Sequence, residues 1–320
     1  MRLGYHLSSE EHDASTLVRL AGRAEEVGFE FATIADHFHP WTDAQGQSPF
    51  VWGVLGGIAA TTSTLRVGTA VTCPLIRTHP AIVAQAAATA AAMFGDRFFL
   101  GLGTGENLNE HVTGQRWPPI AVRQEMLEEA ASVIRLLWRG GTRSHHGRYY
   151  TVENARIYTL PAEPPPIYVA AAGPASSQLA GKIGDGLIAV APQEGTLRRF
   201  QEVGGRGKPC IGQIHVCWAA SEADARRLAH SVWPNAAIPG QLGQELALPT
   251  YFEQAAEPLR EEDVAQVVVC GPDPEAYATA IRTYEEAGFD QLSIHQIGPD
   301  QEGFFGFFER ELLPLSAART

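Results

Sequence analysis

The run "FATIADHFHPW" (31–41) reads as a β-rich segment ending in an acid, two imidazoles and an indole. Side chains alternate along a strand, so His37 and His39 project to one side and Asp36 to the other. Three readings fit these residue types. Two histidines at this spacing begin a metal site, with His215 and His295 from later strand-like runs as the available further ligands. An imidazole near a carboxylate does acid–base work near neutral pH. In the third reading both rings are satisfied loop residues, and Pro40 and Trp41 turn the chain away. The carboxylate that completes the acid–base reading is Glu106 in "FLGLGTGENLNE" (99–110), which also leaves a strand-like run. This Gly-rich segment is not GxGxxG, so its nucleotide signal is weak. Its glycines suit a tight turn and also let backbone amides approach a flat ligand, with Thr104 and Asn109 as donors. A further polar turn, "AAAGPASS" (170–177), places Pro174 where a helix begins. Free N–H groups there suit an anion, or simply an ordinary capped helix start.

These turns need elements to hold them. Residues 14–28 put Leu17, Leu20, Ala21, Ala24 and Val27 on one helical face, and Gly28 closes the helix. Residues 121–138 repeat the pattern with Met126, Leu127, Ala130, Val133, Ile134 and Leu137. Short β-rich runs alternate with such helices throughout, and "AEEVGFEFATIAD" is echoed by "YEEAGFDQLSIHQ". About eight strands in repeated helix–turn–strand units predict a closed (β/α)8 TIM barrel, with an open doubly wound sheet as the alternative. Segments 141–165 and 232–262 break the rhythm and read as loop insertions in one domain spanning residues 1–320. A barrel of this kind builds its site at the C-terminal ends of the strands. Asp36, His37, Thr72, Cys73, Thr104, Glu106, Asn109 and Ser176 all fall at such ends.

A chain of 320 residues, 45% of them apolar, can bury a large core. A net charge of −12 and the lack of a basic run disfavour nucleic acid as a partner. Its four cysteines show no CxxC spacing, and the N-terminus has no apolar leader, which points to a reducing cytoplasm and no membrane span.

Taken together and in order, "ADHFHPW", "VGTAVTCP", "HPAIVAQAAAT", "FLGLGTGENLNE", "RYYTVENARIY" and "IYVAAAGPASSQLAGKIGDG" resemble the luciferase-like family. Within it they are most similar to the coenzyme F-420-dependent dehydrogenases. The likeness spans most of residues 1–190 and weakens beyond 195. It implies His37 and Glu106 as the acid–base pair, with Trp41 lining the reaction pocket. It places Asp36, Cys73, Thr104, Gly105, Asn109, Ala172, Gly173, Ala175 and Ser176 at cofactor-contacting positions. It also implies a non-proline cis peptide at Ala70–Val71, behind the deazaflavin ring, and a homodimer. The implied chemistry is hydride transfer between F-420 and a substrate carbon. An FMN-dependent monooxygenase and a non-catalytic cofactor-binding barrel are the alternatives.

One departure bears on the substrate. Members acting on glucose-6-phosphate hold the phosphate with two lysines and an arginine beside a threonine. The matching positions here carry Gln193, Gly243, Val267 and Val190, and the nearest candidate cations are Arg198, Arg199 and Lys208. The expected substrate is therefore a small, non-phosphorylated alcohol, sugar or carbonyl compound.

Overall fold

The computed structural model describes residues 1–314. Eleven strands follow in chain order: β1 (Arg2–Leu7), β2 (Phe31–Ile34), β3 (Arg66–Thr69), β4 (Phe98–Leu102), β5 (Arg143–His146), β6 (Thr151–Ala155), β7 (Ile167–Ala170), β8 (Gly186–Ala189), β9 (Cys210–Cys217), β10 (Val268–Cys270) and β11 (Gln291–Gln296). Eight of them close a parallel barrel in the order β1-β2-β3-β4-β7-β8-β9-β11, with β11 returning to β1. This is the expected TIM barrel rather than an open sheet. The short β10 pairs with the upper half of β9, outside the closed ring.

The helices form where the apolar stripes predict. Helix Ala14–Glu26 starts at Asp13, whose carboxylate accepts from the Ser15 and Thr16 N–H groups, and buries Leu17, Leu20, Ala21 and Ala24. Gly28 (φ 95°) then adopts the backbone that ends it. Helix Ile120–Trp138 buries Leu127, Ala130, Val133, Ile134 and Leu137. Inside the barrel, Phe31, Phe99, Tyr168, Ile188 and Ile211 form a packed layer, so the barrel is a core and not a pore. Arg66, at the start of β3, closes that layer from below. Its guanidinium lies 4.9 Å from the Phe99 ring centre and donates to the Tyr168 hydroxyl at 3.0 Å.

The two rhythm-breaking segments differ in kind. Residues 141–165 contain the antiparallel β5–β6 hairpin, held against helix Ile120–Trp138 by Glu129, which accepts from the Tyr149 and Tyr150 N–H groups. Residues 232–262 fold into three short helices, Pro234–Ala237, Leu242–Glu245 and Pro249–Ala256, and the first half of a fourth, Glu261–Val264. These lie over the loops that follow β2 and β4. The Asp43 N–H donates to Glu253, and the Asn107 amide donates to the Glu245 carbonyl.

The Gly-rich run at the end of β4 is explained by packing. The chain leaving β3 passes through a cis peptide at Ala70–Val71, then bridges back to β4 through Thr72 and Leu102. An added Cβ would lie 1.9 Å from the Thr69 carbonyl oxygen at Gly101, 2.4 Å from Val71 at Gly103 and 2.5 Å from the Cys73 Sγ at Gly105. Every second residue of one segment thus meets every second residue of the other, leaving no room for a side chain. At Gly101 the obstacle is backbone and cannot rotate away. Gly101→Ala is expected to lower stability by about 3 kcal/mol, the upper end for overpacking, read as a lower urea midpoint. Gly53→Ala, on an exposed helix position with nothing within 4 Å, is expected to be neutral or stabilising in the same assay.

Candidate active site

The polar strand ends converge at the C-terminal mouth. Asp36, 5% exposed, lies beyond the end of β2 at Ile34, so strand alternation does not govern where it and the two imidazoles point. Its carboxylate accepts from the Thr72 hydroxyl at 2.8 Å and from the Arg77 guanidinium at 2.9 Å. Arg77 also faces Glu110, whose carboxylate accepts from the Arg77 N–H at 2.8 Å. Burial holds Glu110 above the ordinary carboxylate range despite that cation. The Thr72–Asp36–Arg77–Glu110 chain therefore clamps the loops after β2, β3 and β4. Removing Arg77 would leave two buried acids without their counter-charge.

On the other side of that loop, the His37 Nδ1 lies 3.4 Å from a Glu10 carboxylate oxygen without a well-aligned hydrogen bond. The Trp41 ring meets the His37 ring edge-on at 4.9 Å and is backed by Phe252 at 5.2 Å. Asn109 joins this loop to Glu106. Its side-chain oxygen accepts from the Phe38 and His39 N–H groups at 2.8 and 3.2 Å, and its nitrogen donates to Glu106 at 3.4 Å. His39 takes a separate path, with Nδ1 2.9 Å from the Leu108 carbonyl oxygen and its ring stacked on His111. The two imidazoles of "HFH" thus serve different neighbours. Among the described residues, no group of three or more His, Cys, Asp or Glu side chains is placed to hold a metal ion.

Ala70 and Val71 are half-buried and rest on the barrel's inner layer, giving the mouth an apolar floor. Thr104 and Glu106 are half-buried beside it. Cys73 is buried against Gly105, and burial pushes its thiol well up, so it remains protonated. At the opposite rim, Ala172 and Ala175 are exposed, and Gly173 and Ser176 half-buried, at the start of helix Pro174–Ile183. The Ala172 and Gly173 N–H groups both donate to the Ser176 hydroxyl oxygen, at 3.2 and 3.1 Å. That contact occupies two of the amides an anion would use.

Of the positions expected on the substrate side, Val190 is 59% and Val267 50% exposed, and Gln193 is exposed at the start of helix Glu194–Phe200. Gly243 lies in helix Leu242–Glu245 with open space around it. Lys208 is no replacement cation. It precedes β9, at the end of the barrel away from the mouth, where its ammonium donates to the Gly181 and Gly184 carbonyls.

The loop after β1 carries acids that no motif in the sequence marks. "GYHLSSEE" obeys the strand-end rule as well as "ADHFHPW" does, but its acids lack a distinctive partner residue in sequence. Ser8, Ser9 and Glu10 are all buried. The Glu11 carboxylate lies 3.0 Å from the His295 Nε2 and accepts from the Gly298 N–H at 2.8 Å. The His295 Nδ1 lies 2.8 Å from the His215 Nδ1, so one ring donates and the other accepts. Burial pushes both rings down to about 3 and raises Glu11.

The two histidines have folded-state pKa values below their unfolded value of about 6.5. The unfolded chain therefore binds the extra protons, and their contribution to stability is lost as pH falls from about 6.5 toward 3. Glu11 works in the opposite sense, since acidification relieves its buried charge. The urea midpoint is expected to fall between pH 6.5 and 4.5, and to fall less steeply in His295→Gln. Equal slopes for the two proteins would show that the imidazole pair does not control this dependence.

A closed parallel barrel whose strand-end loops gather an imidazole, two carboxylates and an indole above an apolar floor defines a luciferase-like site. The family model for luciferase-like monooxygenases matches residues 1–291, and the chain belongs to this family. Curated relatives narrow the comparison. The F-420-dependent glucose-6-phosphate dehydrogenase of Nakamurella multipartita is 35% identical, over 98% of this chain and 96% of that protein. Its counterpart in Mycolicibacterium gilvum is 33% identical, over 98% and 97%. Among solved structures, an F-420-dependent secondary alcohol dehydrogenase in complex with an F-420–acetone adduct is 29% identical. It superposes with a TM-score of 0.90 over 97% of each chain.

Proposed function

We propose that this protein is an F-420-dependent oxidoreductase that moves a hydride between the deazaflavin and a small, non-phosphorylated alcohol, sugar or carbonyl substrate. The observation that carries this reading is the joining of His37, Trp41 and Glu106 through Asn109 at one mouth. The full-length similarity to F-420-dependent dehydrogenases supports it.

The residues present fit a deazaflavin. Ala70 and Val71 are apolar and half-exposed where their neighbours are buried, a floor for a flat ring. Asp36, Cys73, Thr104, Gly105 and Asn109 surround that floor, and Ala172, Gly173, Ala175 and Ser176 form an open rim for the cofactor's tail. When bound, F-420 supplies a ring carbon that accepts or returns hydride.

The chain's own groups manage the protons. An alcohol releases hydride readily only as its oxygen loses its proton, which a neutral imidazole can take. The His37 Nδ1 faces Glu10, leaving Nε2 for the substrate oxygen, and the Glu10 carboxylate stabilises the imidazolium that forms. Glu106 handles the proton associated with ring reduction. Trp41, fixed edge-on to His37 and backed by Phe252, walls the substrate space.

Gln193, Val190, Val267 and Gly243 offer no positive charge for a phosphate, which supports a neutral substrate. Three of the four cysteines are buried and none is disulfide-bonded, which supports a cytoplasmic setting. The family resemblance supports a homodimer.

The decisive assay follows F-420 reduction, and oxidation of its reduced form, against a panel of small alcohols, sugars and carbonyls. Activity toward neutral substrates is expected, with kcat/KM for glucose-6-phosphate far below theirs. His37→Ala is expected to lower turnover by roughly 100-fold or more. Tight FMN binding with substrate-dependent oxygen consumption, and no F-420 turnover, would instead support the monooxygenase reading.

A further inference from the structure

The loop after β1 lies between two parts of the surface. One is the mouth that holds His37. The other is a cleft of about 340 Å³ lined by Glu11, His12, Thr16, Arg19, Gln45 and Gly298 among others, and His37, Trp41 and Glu106 are not in its lining. The polar groups of the "SSEE" run connect them. The His37 Nδ1 is 3.4 Å from one Glu10 oxygen, and the Ser8 hydroxyl is 3.3 Å from the other. The same Ser8 hydroxyl is 3.1 Å from a Glu11 oxygen. It has one hydrogen for two carboxylates, an arrangement in which a proton is readily shared between them.

Resting on the functional reading above, we propose that His37 exchanges its proton with solvent through Glu10, Ser8 and Glu11 into this second cleft. The proton balance calls for such a route. In alcohol oxidation the carbon loses a hydride, His37 gains the hydroxyl proton, and Glu106 gives a proton to the reduced ring. Each turnover therefore leaves His37 one proton richer and Glu106 one poorer; Glu106, half-buried at the mouth, takes its proton back from solvent there as product leaves. His37 is largely enclosed, with a side chain 9% exposed, beneath the space that substrate fills. The imidazolium passes its Nδ1 proton to the nearer Glu10 oxygen, and the carboxyl group turns to present that proton to Ser8. Ser8 takes that proton while giving its own to Glu11, and Glu11 releases it to water in the cleft. The ring's remaining proton returns from Nε2 to Nδ1 before the next turnover. Reduction of a carbonyl runs the same path inward.

Two features suit Glu11 to the role. The Gly298 N–H and His295 hold its carboxylate in place, and burial raises its affinity for a proton. His295 and His215 are kept neutral by the same burial, so this side branch does not trap the proton.

The test uses Glu11→Gln, which keeps the side chain's shape, and Ser8→Ala. Steady-state turnover in each is expected to fall about tenfold or more and to recover as a small imidazole buffer is raised. KM and single-turnover hydride transfer stay unchanged, as a purely structural defect would not allow. In the resting chain without cofactor, exchange of the His37 ring proton with water, read by NMR of labelled histidine, is expected to slow several-fold in both variants. Unchanged turnover, or a loss that buffer does not restore, overturns the relay. If the wild-type chain does not turn over F-420, the functional reading fails, and ring-proton exchange alone decides the relay: unchanged rates overturn it and slowed rates uphold it.

Discussion

The Asn109 carboxamide is the joint on which the mouth depends. One side chain, 2% exposed, accepts two backbone N–H groups from the loop after β2 and donates to Glu106 in the loop after β4. The loop after β2 is irregular where Asn109 meets it, while Asn109 itself stands in the short helix Asn107–Glu110. Without the amide, the Phe38 and His39 N–H groups would lack their protein acceptor, and the distance between imidazole and carboxylate would be unset. The amide can do this only because the ends of β3 and β4 approach at van der Waals distance. The glycines at 101, 103 and 105 make that approach possible, and the Asp36–Arg77–Glu110 cluster locks it on the opposite side.

The fold was largely legible from periodicity. Residues 14–28 and 121–138 advertise their buried faces because a helix against a sheet must hide one stripe and expose the rest. The strands read as continuous apolar runs because both of their faces are covered. The β5–β6 hairpin was less visible. "RSHH" and "TVENA" are polar and lie outside the barrel, so no buried face imposes a pattern on them. β10 was hidden for another reason, being three residues long and paired only to the upper half of β9.

The site was legible where unusual residue types cluster, as in "DHFHPW" and "GTGENLNE". It was illegible where ordinary residues matter through contacts distant in sequence. Arg77 looks like any loop arginine until Asp36 and Glu110 are found on either side of it. Glu10 and Glu11 look like a solvated acidic pair until the fold buries them against His37 and His295. The glycines of "GLGTG" read first as a turn for a ligand, yet their spacing is set by the neighbouring strand.

The segment 232–262 shows how the family template can be retuned. Phe252 backs Trp41, Glu253 accepts from the Asp43 N–H, and Glu245 meets both Asn107 and the buried Arg123. The segment that lies over the loops after β2 and β4 therefore also steadies the indole against which the His37 ring rests. Such a segment is not an interchangeable cassette. A lineage that alters it also shifts the indole beside His37, so changes in this segment and in the strand-end loops beneath it evolve as linked traits.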